Sequence, residues 1–302
     1  MQEREPARKV AITERDILVP LDGSPAAEAA LVRAYRLAEA FGCGVTVLRV
    51  LDSPNESREG AEQYLTEVVT QAQRVGVQTR SELRTGKPAD CIREVAATRD
   101  STIVVLTTRG VGGDPKHLGS VAERLSRTLT VPALFVPPGT QDIHPLGGPV
   151  LVALDGSATA EVAIEPAIEL ARALRVGLTL VQVAPWGREL FASWTGIVPP
   201  NADEEIELGS NTYLAALVER LSDGLDVEYQ TLRGHAADLL VQYTENQAGT
   251  LILASHGHTG LHLWGLGSTT DKVLRVTPVP VLLIRVAEHQ ESDHPMPIET
   301  GE

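Results

Sequence analysis

Residues 19–50 read VPLDGSPAAEAALVRAYRLAEAFGCGVTVLRV, and residues 152–183 read VALDGSATAEVAIEPAIELARALRVGLTLVQV. Laid over each other at a constant offset of 133, they are identical at 15 of 32 positions without a gap. The likeness continues outward. LRTGKPADCI (83–92) answers to TLRGHAADLL (231–240), and GSVAERLSRTLTVPALFV (119–136) to GSTTDKVLRVTPVPVLLI (267–284), both at an offset of 148. The chain is a duplication of one unit. The second copy carries 15 extra residues between its second strand and second helix, spanning about 185–201.

Each copy alternates short apolar runs with amphipathic stretches. Residues 17–21 suit a buried parallel strand. Ser24 is placed to cap a helix with Pro25 at its first position and Glu28 in its first turn, stopping at Gly42 and Gly44. Residues 45–50 read as a strand, 57–74 as an amphipathic helix ending at Gly76, and 77–83 as a third strand. A helix over 88–98, a buried strand over 103–106, a helix opened by Gly119-Ser120 and a last strand over Ala133–Val136 complete the unit. The second copy repeats this order from Val150 to Ile284. The βαβαβαβαβ order predicts an α/β class: two tandem open parallel five-stranded sheets with helices on both faces, Rossmann-like, strand order 3-2-1-4-5. The expected domains are 1–140 and 150–287, with a linker at 141–149 and a disordered acidic tail at 288–302.

In such a sheet a ligand sits beyond the carboxyl ends of the strands, where strand order reverses. At the end of strand one, Asp22 and Asp155 can hold a ribose hydroxyl or an adenine amino group, or can join Ser24 and Ser157 in capping the helix. After strand four, the second copy runs from Ala254 through His256, Gly257, His258 and Gly260 to Gly267-Ser268-Thr269. Glycines there let backbone N–H groups approach phosphate oxygens, and the helix start adds unpaired donors and partial positive charge. The first copy has Thr107, Gly110 and Gly113 before Gly119-Ser120-Val121, with one residue fewer in the loop.

These segments resemble the universal stress protein family, over nearly the whole chain. The ALDGS-type first strand, the glycine loop after strand four, the helix-opening Gly-Ser and the closing PVLLI strand all match its pattern. Its ATP-binding branch carries Gly, two residues, Gly, nine residues, then Gly-Ser. The second copy fits from Gly257 through Gly267-Ser268, with Ala254 in the first glycine's place. The first copy departs with Thr107 and an eight-residue spacing. The resemblance implies that the backbone at Val50 and Val183 reads the adenine, beside Pro20 and Asp22 or Ala153 and Asp155, and that the Gly-Ser starts hold the phosphates. It implies ATP, ADP or AMP as ligand, with or without magnesium, chiefly in the second copy. It also implies that Ala133–Val136 and Val281–Ile284 pair the copies as an intramolecular pseudo-dimer, and a homodimer of tandem chains.

Composition narrows the alternatives. A formal net charge of −14 with no basic stripe argues against nucleic acid. The charged first fifteen residues and the lack of a long apolar run argue for a cytoplasmic protein away from membranes. No Walker-type motif, nucleophile–base pair or paired carboxylates indicate a catalytic site. A regulatory nucleotide-binding protein with little or no hydrolysis is expected; the alternatives are a protein-interaction module without nucleotide and a slow ATPase. His256 and His258 lack the further ligands that zinc requires. Lys87 and His235, followed by Asp90 and Asp238, suit caps of the third helix. Trp186, Phe191 and Trp194 in the insertion form a lid, a partner surface or local core. Cys43 and Cys91 read as small buried hydrophobes.

Overall fold

The computed structural model describes residues 16–98, 102–109, 117–139, 148–187, 197–247, 249–256 and 266–286. Its first half runs β1 (Asp16–Leu21), α1 (Pro25–Phe41), β2 (Val45–Leu51), α2 (Arg58–Arg74), β3 (Thr79–Thr85), α3 (Pro88–Ala97), β4 (Thr102–Thr107), α4 (Ser120–Thr128) and β5 (Ala133–Val136). The second half runs β6 (Val150–Leu154), α5 (Ala158–Glu161), α6 (Ile164–Leu174), β7 (Leu178–Ala184), α7 (Ala202–Leu221), β8 (Val227–Arg233), α8 (Ala236–Gln247), β9 (Thr250–Ala254), α9 (Ser268–Val276) and β10 (Val281–Ile284).

Local chemistry sets the element ends. Ser24 Oγ accepts from Ala27 N at 3.1 Å, satisfying one of the first-turn donors of α1 behind Pro25. Gly42 ends that helix in the left-handed region at φ 64°, where a Cβ would be strained. The third strand begins at Thr79, two residues later than the alternation of 77–83 predicts. Val77 N donates to Ala72 O at 3.1 Å, so this residue still belongs to the turn closing α2. The second half departs from the first where α1 is answered by two helices. Pro166 has no N–H to give to residue 162, and its ring crowds that carbonyl, so the helix breaks at Val162-Ala163 and restarts at Ile164. The 15 extra residues are also spread more widely than 185–201. Seventeen residues separate β7 from α7 against six between β2 and α2, and α7 has 20 residues against 17 in α2.

All ten strands form one sheet in the order β3-β2-β1-β4-β5-β10-β9-β6-β7-β8. Each half therefore has the order 3-2-1-4-5, parallel throughout. The halves meet where β5 and β10 pair antiparallel, with Phe135 opposite Val281, Leu134 opposite Leu282 and Ala133 opposite Leu283. This pairing covers two apolar strands that would otherwise be open edges. Both faces are packed, and each core layer contains residues of both halves. One holds Ile17, Leu134, Val152 and Leu282; the other holds Leu18, Leu48, Phe135, Leu151 and Leu283. Because β5 and β10 oppose each other, the carboxyl ends of the two half-sheets point to opposite ends of the molecule.

Candidate functional site at the strand-order reversal

Strand order reverses between β1 and β4 in the first half and between β6 and β9 in the second. The sequence-predicted residues of strand one meet there. Asp22 Oδ1 accepts from Ser24 N at 2.9 Å and Ser24 Oγ at 2.5 Å; Asp155 Oδ1 does the same for Ser157 at 3.0 and 2.6 Å. Each serine hydroxyl in turn accepts from the helix, Ala27 N or Ala160 N at 3.1 Å. The two acids thus orient the capping serines while staying exposed at the mouth of the crevice. The half-buried Pro20 and Ala153 sit just below.

Backbone direction picks out Val50 and Val183. Leu51 O accepts from Gly86 N and Ala184 O from Gly234 N, both at 2.9 Å, so these last residues turn toward β3 and β8. Peptide groups alternate sides along a strand. The groups of Val50 and Val183 therefore turn toward β1 and β6. The last paired residues there are Leu21 and Leu154, opposite Arg49 and Gln182. The two valine carbonyls accordingly point beyond strand ends, into the crevice.

Residues not singled out from the sequence complete the walls. Tyr64 of α2 donates to Glu28 of α1 at 3.0 Å, and Tyr213 of α7 to Glu161 of α5 at 3.0 Å. Burial, then the carboxylate bond, pushes both phenols well above their ordinary range. The shared Tyr-Leu pair at 64–65 and 213–214 was the available signal. At the next position the halves differ. In the first, Arg49 pairs with Glu56 at 2.5 Å and reaches Leu21 O at 3.5 Å, while Glu56 accepts from Asp52 N and Ser53 N, so Arg49 links the end of β1 to the ion-paired loop after β2. In the second, Gln182 replaces Arg49. Its Oε1 is buried without a hydrogen-bond partner, and a Cβ added at Gly156 would lie 3.5 Å from its Nε2.

The helix starts after strand four are alike. Gly119 N donates to Thr108 O at 2.8 Å and Gly267 N to Ser255 O at 3.0 Å, holding α4 and α9 against the strand ends. Neither helix has a side-chain cap. Their first-turn N–H groups face the crevice, with exposed Ser120 and Ser268 and half-buried Val121 and Thr269 beside them. Gly267 has an ordinary φ of −58° and room for a methyl, so neither backbone strain nor local packing demands a glycine there. Ala254 is buried, and Arg175 is the one non-glycine residue with positive φ among the described residues, so the alanine is unstrained. Thr107 Oγ1 donates to Arg109 O at 2.8 Å, and the Arg109 guanidinium to His117 O and Arg275 O at 3.1 Å each. Arg109, just past β4, is therefore tied to the other half. Gly110, Gly113, Gly257, Gly260 and His258 lie outside the described residues.

The remaining candidates have other partners. His256 Nδ1 lies 3.1 Å from Ser255 Oγ. Among the described residues no three His, Cys, Asp or Glu side chains converge as metal ligands. Lys87 makes no side-chain cap; Asp90 bonds Arg124 of α4 at 3.0 Å and Asp238 pairs with Lys272 of α9 at 2.6 Å, tying neighbouring helices together. The Arg233 guanidinium at the end of β8 lies over the Trp186 ring, 5.9 Å from its carbon to the ring centroid, and Arg233 pairs with Glu207 of α7. They line a cavity of about 310 Å³ with Thr231 and Leu232. Trp186 thus rests on the sheet end while staying 41% exposed; Phe191 and Trp194 lie outside the described residues. Among the described residues, no helix is long and apolar enough to cross a membrane.

Known proteins agree with this architecture. The model of the Universal stress protein family matches residues 14–137 and again 148–285. A universal stress protein of Mycolicibacterium smegmatis is 28% identical over 296 residues, covering 90% of this chain and 98% of that one. Another from Synechocystis is 29% identical over 205 residues, 67% of this chain; the match spans 63% of that relative's length. The crystal structure of a universal stress protein from Archaeoglobus fulgidus superposes with a TM-score of 0.69 at 21% identity, covering 92% of this chain and 99% of that one.

Proposed function

The chain belongs to the universal stress protein family, and from that premise we propose that its second half binds an adenine nucleotide as a regulatory ligand in a stress response, with little or no hydrolysis. The observation that carries this reading is the start of α9. An uncapped helix N-terminus, opened by a glycine, faces the crevice at the strand-order reversal. Unpaired N–H groups and the helix dipole favour an anion there. The sugar and base would lie toward β6 and β7, where Asp155 is exposed and the Val183 carbonyl points past the strand end. The orphaned Gln182 Oε1 fits a ligand donor such as an amino group or a hydroxyl, because a buried acceptor without a partner is costly. Among the described residues, no nucleophile or paired carboxylates at this crevice support chemistry on the phosphates.

The first half supports a different role. Arg49, held by Glu56, reaches the end of β1, and Arg109 bonds the other half at Arg275 O, so in this reading the first half serves as the scaffold of the second. In the same reading, the chain works in the cytoplasm as a homodimer of tandem chains that hands its nucleotide state to protein partners. A thermal melt in millimolar ATP or ADP tests the ligand. At 100 times Kd, binding to the folded state adds about 2.7 kcal/mol and raises Tm. Gly267→Ala should keep that shift, and Gly267→Phe should abolish it by filling the phosphate position. No shift with either nucleotide would leave a partner-binding module as the better reading.

A further inference from the structure

Helices α4 and α9 lie side by side and antiparallel, so the first turn of each meets the last turn of the other. Four charged side chains join them. Arg127 of α4 reaches Asp271 of α9 at 3.4 Å, and Arg275 of α9 reaches Glu123 of α4 at 3.3 Å. Within α9, Arg275 also holds Asp271 through two bonds of 2.8 and 3.0 Å. Within α4, the matching Arg127–Glu123 contact is 3.7 Å. Hydrogen bonds to Asp271 come first among the causes that raise the Arg275 pKa.

Both acids occupy first turns, one turn from the N–H groups that open on the two crevices. An acid there normally complements the helix dipole. For a helix whose N-terminus must also accept phosphate, the same acid is a repulsive neighbour. Turning its carboxylate toward two arginines removes that conflict while keeping the helix start intact.

We propose that Arg127, supplied by the first half, neutralises Asp271 in the first turn of α9, so that anion affinity in the second half depends on a side chain from the first. This rests on the nucleotide reading of the α9 start. Arg127 is a positioning residue: it acts on the ligand through Asp271. The first half then has an electrostatic part in the neighbouring site as well as a structural one, and Arg109, just past β4, bonds Arg275 O of the same helix.

A double-mutant cycle on the full chain tests this, with ATP affinity measured by calorimetry at low and high ionic strength. Arg127→Gln should weaken ATP roughly threefold at low salt, the size of one unit charge acting across several ångströms of hydrated surface. The loss should shrink at high salt, since these groups are partly exposed. In an Asp271→Asn background, Arg127→Gln should change affinity little, because the acid it answers is gone. An equal loss in both backgrounds, whether salt-sensitive or not, would mean that Arg127 acts directly or by packing rather than through Asp271, and would overturn the inference. Unchanged affinity in Arg127→Gln would overturn it too, leaving the nucleotide reading in place. Absence of ATP and ADP binding by the wild-type protein would remove both together.

Discussion

Leu48→Ala asks whether ten strands behave as one body. Leu48 lies in β2, opposite Pro20, three strands away from the β5–β10 seam, and is 0% exposed. Its core layer also holds Leu151, Leu251 and Leu283 from the second half. Truncating a buried leucine to alanine costs about 3 kcal/mol. For a chain of this size, with a urea dependence of about 3 kcal/mol per molar, the midpoint should fall by about 1 M. All three tryptophans, Trp186, Trp194 and Trp264, are in the second half, so their emission reports on that half alone. If the shared core makes unfolding cooperative, the tryptophan midpoint should fall by the full amount and coincide with the far-ultraviolet dichroism transition. An unmoved tryptophan transition beside an earlier dichroism phase would refute this, showing that a seam registered over three residue pairs joins two independently folding bodies.

Gln182→Leu should raise the stability of the ligand-free protein by about 1 kcal/mol, because a buried acceptor without a partner is removed, and should weaken ATP binding by about tenfold. A variant that is destabilised yet binds normally would refute that role for the amide. Tyr64 and Tyr213 have phenols raised above the ordinary value of 10.0. A folded pKa above the unfolded one means that their contribution is complete below about pH 10 and is lost as pH rises further. Stability should therefore decline from about pH 10 upward, and less steeply in the double Phe variant; identical alkaline profiles would contradict the shift. Arg233→Ala removes the guanidinium from the Trp186 ring and frees Glu207, so Trp186 emission should move to longer wavelength, and an unaltered spectrum would count against that contact.

The duplication made most of the fold legible. Two copies of an LDGS strand end followed by a serine-capped helix, and two closing strands each led by Val-Pro, give the strand order and the partners of the seam. Local periodicity failed where tertiary detail decides. Val77 alternates like a strand residue but bonds back to α2, and the break at Val162-Ala163 follows from Pro166 three and four residues later. At the site, the capping role of Asp22 and Asp155 and the uncapped Gly-Ser starts were readable, because caps are local. The pairs Tyr64–Glu28, Arg49–Glu56 and Arg127–Asp271 join residues on separate elements or across a loop. Their chemistry exists only once the chain has folded, and one sequence carries no sign of which charges meet.

The antiparallel seam also bears on how the protein can change over evolutionary time. In a symmetric pair of identical subunits, any substitution near the two-fold axis appears twice and must be tolerated on both sides at once. Here Phe135 lies opposite Val281 and Ala133 opposite Leu283, while His256 stands one residue past Ser255, as Arg109 stands one past Thr108. Each position in the seam can be tuned without its counterpart. Fusion has thus released the two halves from having to be good at the same thing, and one half can become a fixture that shapes the other.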